Sequence, residues 1–352
     1  MDTVEVSAKL MKDPEMLTTG HPDVVVCDAE ESAEIMRIAT DLTSAHKARL
    51  DAAEVDRRFD DPLFLVSAET AARRISPALV HRIVDFRVSG STSGVLAVRG
   101  LPVDRPLPDT PGSGAHHGPW QELAVSSAVQ LMVMSLLGEV IAYADEKRGR
   151  LIQDVCPVPG AEQRQENTGS TLLELHTEDG FHPHKPDFLS LFCLRGDQEG
   201  RALTVAGGVR AVLPALPARH REALRRTAFH IRLSSSFAGT GPARYCAPLP
   251  VLSGPVEDPE LCIDLHAMEA LDDEGAAALR ALSRLLLSRL TAISLSPGDL
   301  LVVDNRLAVH GRTGFEPRYD GADRWLRRCY AVSDLRPSAN SRPPRSRVHH
   351  PL

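Results

Sequence analysis

Residues 297–328 read PGDLLVVDNRLAVHGRTGFEPRYDGADRWLRR and carry a clear strand pattern. The apolar run Leu300–Val303 predicts a buried strand, and a polar turn separates it from a second apolar run that ends at His310. Proline, aspartate and glycine then predict a turn that folds Asp323–Ala331 back along His310–Phe315 as a hairpin. Short strands separated by turns favour a sandwich or a barrel.

The same pattern continues through the second half of the chain. The predicted strands are Leu172–Glu178, Phe188–Leu194, Ala202–Ala206, His230–Ser234 and Leu300–Asp304. Helical inserts at 217–226 and 273–290 interrupt them. We therefore predict an α+β fold with a double-stranded β-helix, or jelly-roll, core and surrounding helices. A helical and extended decoration would cover 1–94, the core with its inserts 95–336, and a flexible tail rich in Ser, Pro, Arg and His 337–352.

Composition limits the classes of function. The chain has 352 residues, with 40 Lys and Arg against 47 Asp and Glu, a net charge of −7, and 4% aromatic residues, which argues against a nucleic-acid partner. Six scattered cysteines without a CxxC pair fit neither a disulfide framework nor a zinc knuckle. Apolar runs fall short of the roughly 18 residues of a membrane span, and the N-terminus lacks a secretory signal pattern. We expect a cytoplasmic protein without a membrane partner.

The stretch LLELHTE, residues 172–178, contains a potential pair of metal ligands. Residues two apart on a strand project to the same face, so His176 and Glu178 would enter one cavity together. His310, embedded in an apolar strand, is the third candidate, although a buried, hydrogen-bonded imidazole is its ordinary explanation. Two histidines and one carboxylate form the facial triad of non-haem iron(II) oxygenases. A zinc hydrolase is the main metal alternative, but it usually carries HExxH on a helix.

Two arginines follow the distal histidine on one predicted strand. Arg324 and Arg328 share a face with Leu326 and Tyr330, because each lies an even number of residues from the others. Burial of two guanidinium groups is costly unless anions neutralise them, and guanidinium groups bind carboxylates in a bidentate manner. If this face is the inner one, two small molecules that bear carboxylates would satisfy the arginines.

These residues resemble the clavaminate synthase-like branch of the iron(II)/2-oxoglutarate oxygenases, and especially bacterial hydroxylases of free arginine, lysine and asparagine. The resemblance covers roughly residues 95–335. Its most specific parts are ELHTEDGFHPHKPDFLSLFCLRGD, residues 174–197, and the stretch 297–328 quoted above. The resemblance implies that His176, Glu178 and His310 bind iron(II). It also implies that Arg324 binds the distal carboxylate of 2-oxoglutarate, with Thr204 as a second contact.

The resemblance also implies a substrate site. Arg328 matches the position that binds the α-carboxylate of the amino acid, while Gln153 and the outward oxygen of Glu178 would contact the α-amino group. Glu257 and Asp258, in the acidic loop PVLSGPVEDPE, fall near the family's side-chain pocket and would favour a basic side chain. An ordinary solvated acidic turn is the alternative for this loop.

The implied activity is hydroxylation of a free L-amino acid at C3 or C4, coupled to conversion of 2-oxoglutarate and dioxygen into succinate and carbon dioxide. A basic substrate (arginine, lysine or ornithine) is the first expectation, and asparagine or glutamine the next. A carrier-tethered amino acid, desaturation, ring closure and a non-catalytic cupin-like binding protein remain alternatives. Glu178 argues against a halogenase, which leaves that ligand position to chloride. The sequence leaves the oligomeric state open, with a homodimer as one option.

Overall fold

The computed structural model describes residues 20–53, 59–239 and 241–352. Residues 1–19, which belong to the predicted N-terminal decoration, lie outside the described residues. Within these ranges, none of the helices combines the length and the apolar character that crossing a bilayer requires.

The strands of the described chain are short, mostly of three to eight residues. In chain order they are β1 (Asp23–Val26), β2 (Val95–Arg99), β3 (Glu139–Tyr143), β4 (Ile152–Val155), β5 (Leu173–His176), β6 (Phe188–Arg195), β7 (Thr204–Gly208), β8 (Phe229–Ile231), β9 (Leu252–Ser253), β10 (Glu260–Leu261), β11 (Met268–Ala270), β12 (Thr291–Ile293), β13 (Leu300–Asp304), β14 (Ala308–Arg312), β15 (Trp325–Val332) and β16 (Val348–His349).

The helices lie mainly before β3 and between β7 and β12. They are α1 (Ala29–Ala45), α2 (Lys47–Ala52), α3 (Pro62–Ala72), α4 (Pro77–Ser89), α5 (Ala124–Leu137), α6 (Val209–Val212), α7 (Ala218–Leu224), α8 (Ser235–Ala238) and α9 (Asp273–Leu287). Side-chain caps set several of their starts. Asp28 accepts hydrogen bonds from two backbone N–H groups of the first turn of α1, and Asp272 accepts one at the start of α9.

Two sheets form the centre of the molecule. In the described chain the larger sheet runs β1-β2-β13-β6-β15-β3-β16, with β4 also paired to β15, and the smaller one runs β12-β7-β14-β5. The chain alternates between the sheets, because β5, β7 and β14 belong to the smaller sheet whereas β6, β13 and β15 belong to the larger one. The predicted α+β architecture, a sheet core with helices around it, is confirmed at this level.

Side-chain alternation gives the larger sheet two apolar faces. On β13, Leu300 and Val302 pack into the cluster that contains α1, α3, α4 and α5, whereas Leu301 and Val303 pack into the cluster between the sheets. On β15, Leu326 faces the space between the sheets as well. This two-residue period buries both faces, and it directs every second residue of β15 toward the smaller sheet.

The predicted hairpin between His310–Phe315 and Asp323–Ala331 is wrong. Strand β14 pairs with β5 and β7 in the smaller sheet, whereas β15 pairs with β6, β3 and β4 in the larger one. The turn predicted between the two segments is therefore a crossover from one sheet to the other. Backbone hydrogen bonds to different partners keep the strands apart.

The predicted flexible tail, 337–352, is also corrected. Val348 and His349 form β16, which pairs in parallel with Ala142 and Tyr143 of β3, and both residues of β16 are buried. The imidazole of His349 packs against the Tyr143 ring at 5.3 Å between ring centroids. An apolar side chain and an aromatic contact thus attach the end of the chain to the edge of the larger sheet, which the polar composition did not suggest.

Candidate metal and co-substrate site

The two candidate histidines lie directly opposite each other on paired strands. His176 ends β5, His310 lies in β14, and the antiparallel register pairs these two residues. Their ring centroids are 4.5 Å apart. Paired positions of an antiparallel sheet place side chains on the same face at short distance, so the register itself brings the imidazoles together.

Glu178 joins the two histidines from the turn after β5. The predicted strand extends to Glu178, but the observed one ends at His176. Glu178 Oε2 lies 3.1 Å from His310 Nε2 and 3.8 Å from His176 Nε2. Asn305 holds this turn, because its side chain accepts a hydrogen bond from Glu178 N at 2.8 Å and donates one to Glu178 O at 3.0 Å. The turn replaces the strand as the element that directs the carboxylate inward.

The donor set fits a metal ion. One donor atom from each of His176, Glu178 and His310 lies within 4.8 Å of the others. His176 Nδ1 is 2.9 Å from the carbonyl oxygen of Glu174, a contact in which Nδ1–H donates and Nε2 keeps its lone pair for the site. Metal-binding histidines commonly donate their second nitrogen to a carbonyl in this way. Two imidazoles and one carboxylate on one side are the ligand set of non-haem iron(II).

Charge within the site keeps Glu178 ionised. Burial opposes ionisation, but the Arg328 guanidinium, followed by hydrogen bonds from the two histidines, holds the pKa of the Glu178 carboxyl well below its usual value. Burial likewise opposes the charged form of His176, yet Glu178 leaves the pKa of that imidazole raised. Burial and the charge of His176 lower the pKa of His310. Glu178 is thus held as a carboxylate, the form that binds a cation.

A second part of the cavity contains the other predicted co-substrate residues. Arg324 precedes β15 and donates a hydrogen bond from Nη2 to Thr204 Oγ1 at 3.3 Å, and both side chains are buried. Arg312, which ends β14, lines the cavity as well. Burial lowers the pKa of Arg324. Arg324 and Arg328 line the same cavity, so the face that they share is the inner one.

Arg328 lies at the centre of a buried polar network. Its Nη1 donates to Glu178 Oε1 at 2.6 Å, and its Nη2 donates to Glu146 Oε1 and to Gln153 Oε1. The Tyr330 hydroxyl lies 2.7 Å from Glu178 Oε1 and 3.1 Å from Glu146 Oε2, and can donate to either carboxylate. One guanidinium group therefore joins a candidate metal ligand to a second buried acid.

Gln153 differs from its predicted position. It lies on β4 opposite Arg328, is 1% exposed, and is not among the residues that line the cavity. Its side-chain oxygen accepts hydrogen bonds from Arg328, and its Nε2 donates to the carbonyl of Arg150 at 3.4 Å. Gln153 thus contacts Arg328, the residue predicted to bind the substrate carboxylate, and does not itself line the cavity.

Glu257 and Asp258 do not belong to the cavity. Neither residue lines it, and the Asp258 carboxylate receives two hydrogen bonds of 2.7 Å from Arg210. The prediction that they form the side-chain pocket is therefore wrong. The acidic loop precedes β10, outside the two central sheets, and its carboxylate is satisfied by a surface arginine.

The cavity has a volume of about 330 Å³, which suits a small ligand together with a co-substrate. Several of the polar residues that line the cavity were not identified from the sequence. These are Glu146, Gln165, Asn167, Glu174, Asp264, His266 and Arg312. A sequence signal existed for Arg312, which lies two residues after His310 on the same strand and hence on the same face. Glu174 carried the same signal, because it lies two residues before His176 on β5. No comparable period marks the other residues, because loops bring them to the cavity.

Comparison with protein families agrees with this geometry. Residues 91–330 match the family described as taurine catabolism dioxygenase TauD, TfdA family. L-asparagine oxygenase of Streptomyces coelicolor is 41% identical over 91% of this chain and 92% of its own length. L-lysine 3-hydroxylase of Catenulispora acidiphila is 34% identical over 92% and 88%, and clavaminate synthase 2 of Streptomyces clavuligerus is 34% identical over 86% and 90%.

Solved structures show the same relationship. A crystal structure of asparagine oxygenase in complex with Fe(II), 2S,3S-3-hydroxyasparagine and succinate superposes with a TM-score of 0.84 at 39% identity, over 94% of this chain and 99% of that one. The non-heme iron oxygenase OrfP in complex with Fe and alpha-ketoglutaric acid superposes with a TM-score of 0.81 at 27% identity, over 93% and 99%. The fold, the ligand triad and these similarities agree, and the chain belongs to the TauD/TfdA dioxygenase family, among the clavaminate synthase-like amino acid oxygenases.

Proposed function

We propose that this chain hydroxylates a free L-amino acid at C3 or C4 with iron(II), 2-oxoglutarate and dioxygen. The observation that carries the proposal is the meeting of His176, Glu178 and His310, whose donor atoms lie within 4.8 Å of one another in a cavity also lined by Arg324 and Arg328. A metal triad beside two buried guanidinium groups has the ligands to bind one metal ion and the cations to bind two carboxylates. A non-catalytic binding protein would not need this combination.

We further propose that the two sheets form a double-stranded β-helix within residues 95–336, with 1–94 as a decoration. Its support is the regular change of sheet along the chain, from β5 to β6 to β7 and from β12 through β13 and β14 to β15. In this arrangement the metal triad lies on the smaller sheet and its following turn, while Arg328 reaches it from the larger sheet. The site therefore lies between the sheets.

The proposed co-substrate site is the Arg324 and Thr204 end of the cavity. A carboxylate there would receive charge-assisted hydrogen bonds from Arg324, whose orientation is supported by its bond to Thr204 Oγ1. Bound iron(II) would supply the activation of dioxygen that couples decarboxylation of 2-oxoglutarate to hydroxylation. The protein's part is to hold the co-substrate and the amino acid in fixed positions, because the position of the C–H bond decides which carbon is oxidised.

The proposed amino acid site is the ion pair between Arg328 and Glu146. A free amino acid is a zwitterion, and this buried pair offers a cation for its α-carboxylate and an anion for its α-ammonium group. The outward oxygen of Glu178 is a second acceptor for the ammonium group, as the resemblance implied. Gln153 would act through Arg328, since its oxygen accepts from that guanidinium group and holds its plane.

We propose L-asparagine as the first candidate substrate. The acidic loop that favoured a basic side chain lies outside the cavity, which removes the earlier reason for ranking basic amino acids first. The 41% identity to L-asparagine oxygenase extends over 91% of the chain, and the 34% identity to L-lysine 3-hydroxylase is lower over a similar span. Asn167 and Gln165 line the cavity and carry the donors and acceptors that pair with an amide.

A basic amino acid remains the second candidate, for one specific reason. Glu174 and Asp264 line the cavity and could neutralise a terminal cation. Burial raises the pKa of Glu174, so a nearby cation would be needed to keep that carboxyl ionised at lower pH. Carrier-tethered substrates, desaturation and ring closure are retained as further outcomes of the same chemistry.

Reconstitution with a substrate panel tests the proposal. The full chain is loaded with iron(II) and 2-oxoglutarate without oxygen, then exposed to air with each of the twenty L-amino acids and L-ornithine. Mass spectrometry should detect a product that has gained one oxygen atom, with succinate formed in equal amount, and L-asparagine should give the highest kcat/KM. A protein with His310 replaced by alanine is the matched negative control.

Three results would contradict parts of the proposal. Absence of product and of succinate with every amino acid would reject the hydroxylase function for free substrates. Loss of two hydrogens instead of gain of oxygen would replace hydroxylation by desaturation or ring closure. A higher kcat/KM with arginine, lysine or ornithine than with asparagine would select the second candidate.

A further inference from the structure

Arg312 is a buried cation that belongs neither to the Arg324 and Thr204 pair nor to the Arg328 and Glu146 pair. It is 5% exposed, lies at the end of β14, and lines the same cavity as Arg324. Its Nη2 donates to the carbonyl oxygen of Thr171 at 2.8 Å, and its guanidinium carbon lies 5.0 Å from the centre of the Phe315 ring. Its Nε has no hydrogen-bond partner. A buried guanidinium group with an unpartnered donor calls for an additional acceptor.

The register directs this side chain toward the proposed co-substrate site. Arg312 pairs with Thr204 across the antiparallel ladder, and it lies two residues after His310 on the same strand. The side chains of paired residues share one face, so Arg312 extends beside the threonine whose Oγ1 accepts a hydrogen bond from Arg324. Arg312, Thr204 and Arg324 thus meet at one end of the cavity.

Protein carboxylates do not neutralise these two cations. Within the described ranges, neither Arg312 nor Arg324 forms an ion pair. The two guanidinium groups lie close enough for the charge of Arg324 to repel that of Arg312. Asp197 exerts an attraction on Arg324, but its carboxylate accepts backbone hydrogen bonds from Arg201 at 2.6 Å and Ala202 at 2.8 Å. Two buried guanidinium groups without a paired acid favour a bound anion.

We propose that Arg312 is a second guanidinium group of the co-substrate site and binds the distal carboxylate of 2-oxoglutarate together with Arg324. This inference rests on the proposed function of Arg324. Succinate keeps the same distal carboxylate, so Arg312 also holds the co-product and contributes to the rate of its release. The site therefore selects dicarboxylates over 2-oxo acids that lack the second carboxylate.

Binding measurements test the role of Arg312 without relying on turnover. Succinate is titrated calorimetrically into the full chain loaded with iron(II) under anaerobic conditions. The variants are Arg312→Gln, Arg312→Lys and Arg324→Gln, with Arg210→Gln as a control that loses the same charge at the surface beside Asp258. We expect Arg312→Gln to weaken succinate binding about tenfold or more, and Arg312→Lys less, because a hydrogen bond to a charged group is lost. Arg210→Gln should bind succinate like the parent protein.

A second ligand separates recognition from a structural role. 2-Oxopentanoate has the chain length of 2-oxoglutarate but lacks its distal carboxylate, so its affinity should change less than about twofold in Arg312→Gln. Equal losses of affinity for succinate and 2-oxopentanoate would overturn the proposal, since they would indicate general damage to the cavity. Unchanged succinate affinity in Arg312→Gln, with a loss in Arg324→Gln, would overturn it while leaving the proposed function intact. Unchanged affinity in both variants would reject the co-substrate site as well.

Discussion

Arg328 Nη1 donates a hydrogen bond of 2.6 Å to Glu178 Oε1, while the other oxygen of the same carboxylate lies 3.1 Å from His310 Nε2. The Glu178 carboxylate therefore contacts both Arg328, the residue proposed to bind the amino acid, and His310, a proposed metal ligand. Because β15 and the turn after β5 belong to different parts of the fold, this bond connects the larger sheet to the metal triad. An amino acid bound at Arg328 would consequently lie next to the metal.

Substitution of Arg328 by lysine should affect the amino acid more than the co-substrate. Lysine keeps the charge but loses the planar fork that contacts Glu178, Glu146 and Gln153. We expect the KM for the amino acid to rise about tenfold or more, with the affinity for 2-oxoglutarate changed less than about threefold. Steady-state kinetics with each substrate varied in turn measures both. A rise confined to the KM for 2-oxoglutarate would exchange the roles proposed for Arg328 and Arg324.

Removal of the Tyr330 hydroxyl should weaken the metal site. The hydroxyl lies 2.7 Å from Glu178 Oε1, and the ring is fully buried, so Tyr330→Phe keeps the packing and deletes one donor. Loss of a hydrogen bond to a ligating carboxylate commonly costs about 10- to 100-fold in metal affinity or activity. Anaerobic titration with iron(II) and thermal unfolding measure the two effects separately. Parent-like iron affinity and turnover in a well-folded variant would exclude this positioning role.

Two aspartates allow the cavity wall to be compared with the surface loop. Asp264 lines the cavity and its Oδ1 accepts hydrogen bonds from His266 N and Ala267 N, which an asparagine oxygen also accepts. We expect Asp264→Asn to reduce kcat/KM for arginine relative to asparagine, because one negative charge of the wall is lost. Asp258→Asn is the matched control. It should leave this ratio unchanged and cost less than about 1 kcal/mol of stability, since its ion pair with Arg210 is half-exposed.

The result that would contradict this assignment is the reverse one. If Asp258→Asn changed the ratio of kcat/KM values and Asp264→Asn did not, the acidic loop would contribute to the substrate pocket in solution.

Stability should decline as the pH falls below about 6.5. Burial, and then the charges of His349 and His184, lower the pKa of His182 from 6.5 to about 3. Burial also lowers the pKa of His184 and of His349. The folded state therefore disfavours protonation that the unfolded state accepts, so the stabilisation is complete above pH 6.5 and is lost as the pH falls toward 3. Each such histidine contributes up to about 1.4 kcal/mol per pH unit.

The variant His182→Gln should flatten this dependence. Denaturant unfolding between pH 7 and pH 5 measures how the free energy of unfolding changes with pH. This slope should be smaller in the variant by up to about 1.4 kcal/mol per pH unit, the contribution of one proton. His220→Gln, which changes a histidine of the half-buried helix α7, is the control. An identical slope in the parent and in His182→Gln would show that this cluster is protonated without cost in the folded protein.

The local pattern of the sequence was sufficient to predict which residues of an extended segment share a face. A two-residue period places Arg324 and Arg328 on one face, and the structure confirms this because the larger sheet is pleated and buried on both sides. The family resemblance of 174–197 and 297–328 also predicted the triad, in which the register of β5 and β14 pairs the two histidines and the turn after β5 adds Glu178. The shared face of the two arginines depends on geometry within one segment, whereas the triad was predicted from the resemblance of two long motifs.

The position of the loops and of the chain end depended on packing between distant elements. Asp264 lies in the cavity while Glu257 and Asp258, only a few residues earlier, lie outside it, and their acidic composition could not distinguish them. Gln153 and Glu146 reach Arg328 only because β3 and β4 pair with β15. The crossover after β14 and the pairing of β16 are likewise choices among backbone partners. Such choices are made by long-range hydrogen bonds and shared burial, which adjacent residues do not encode.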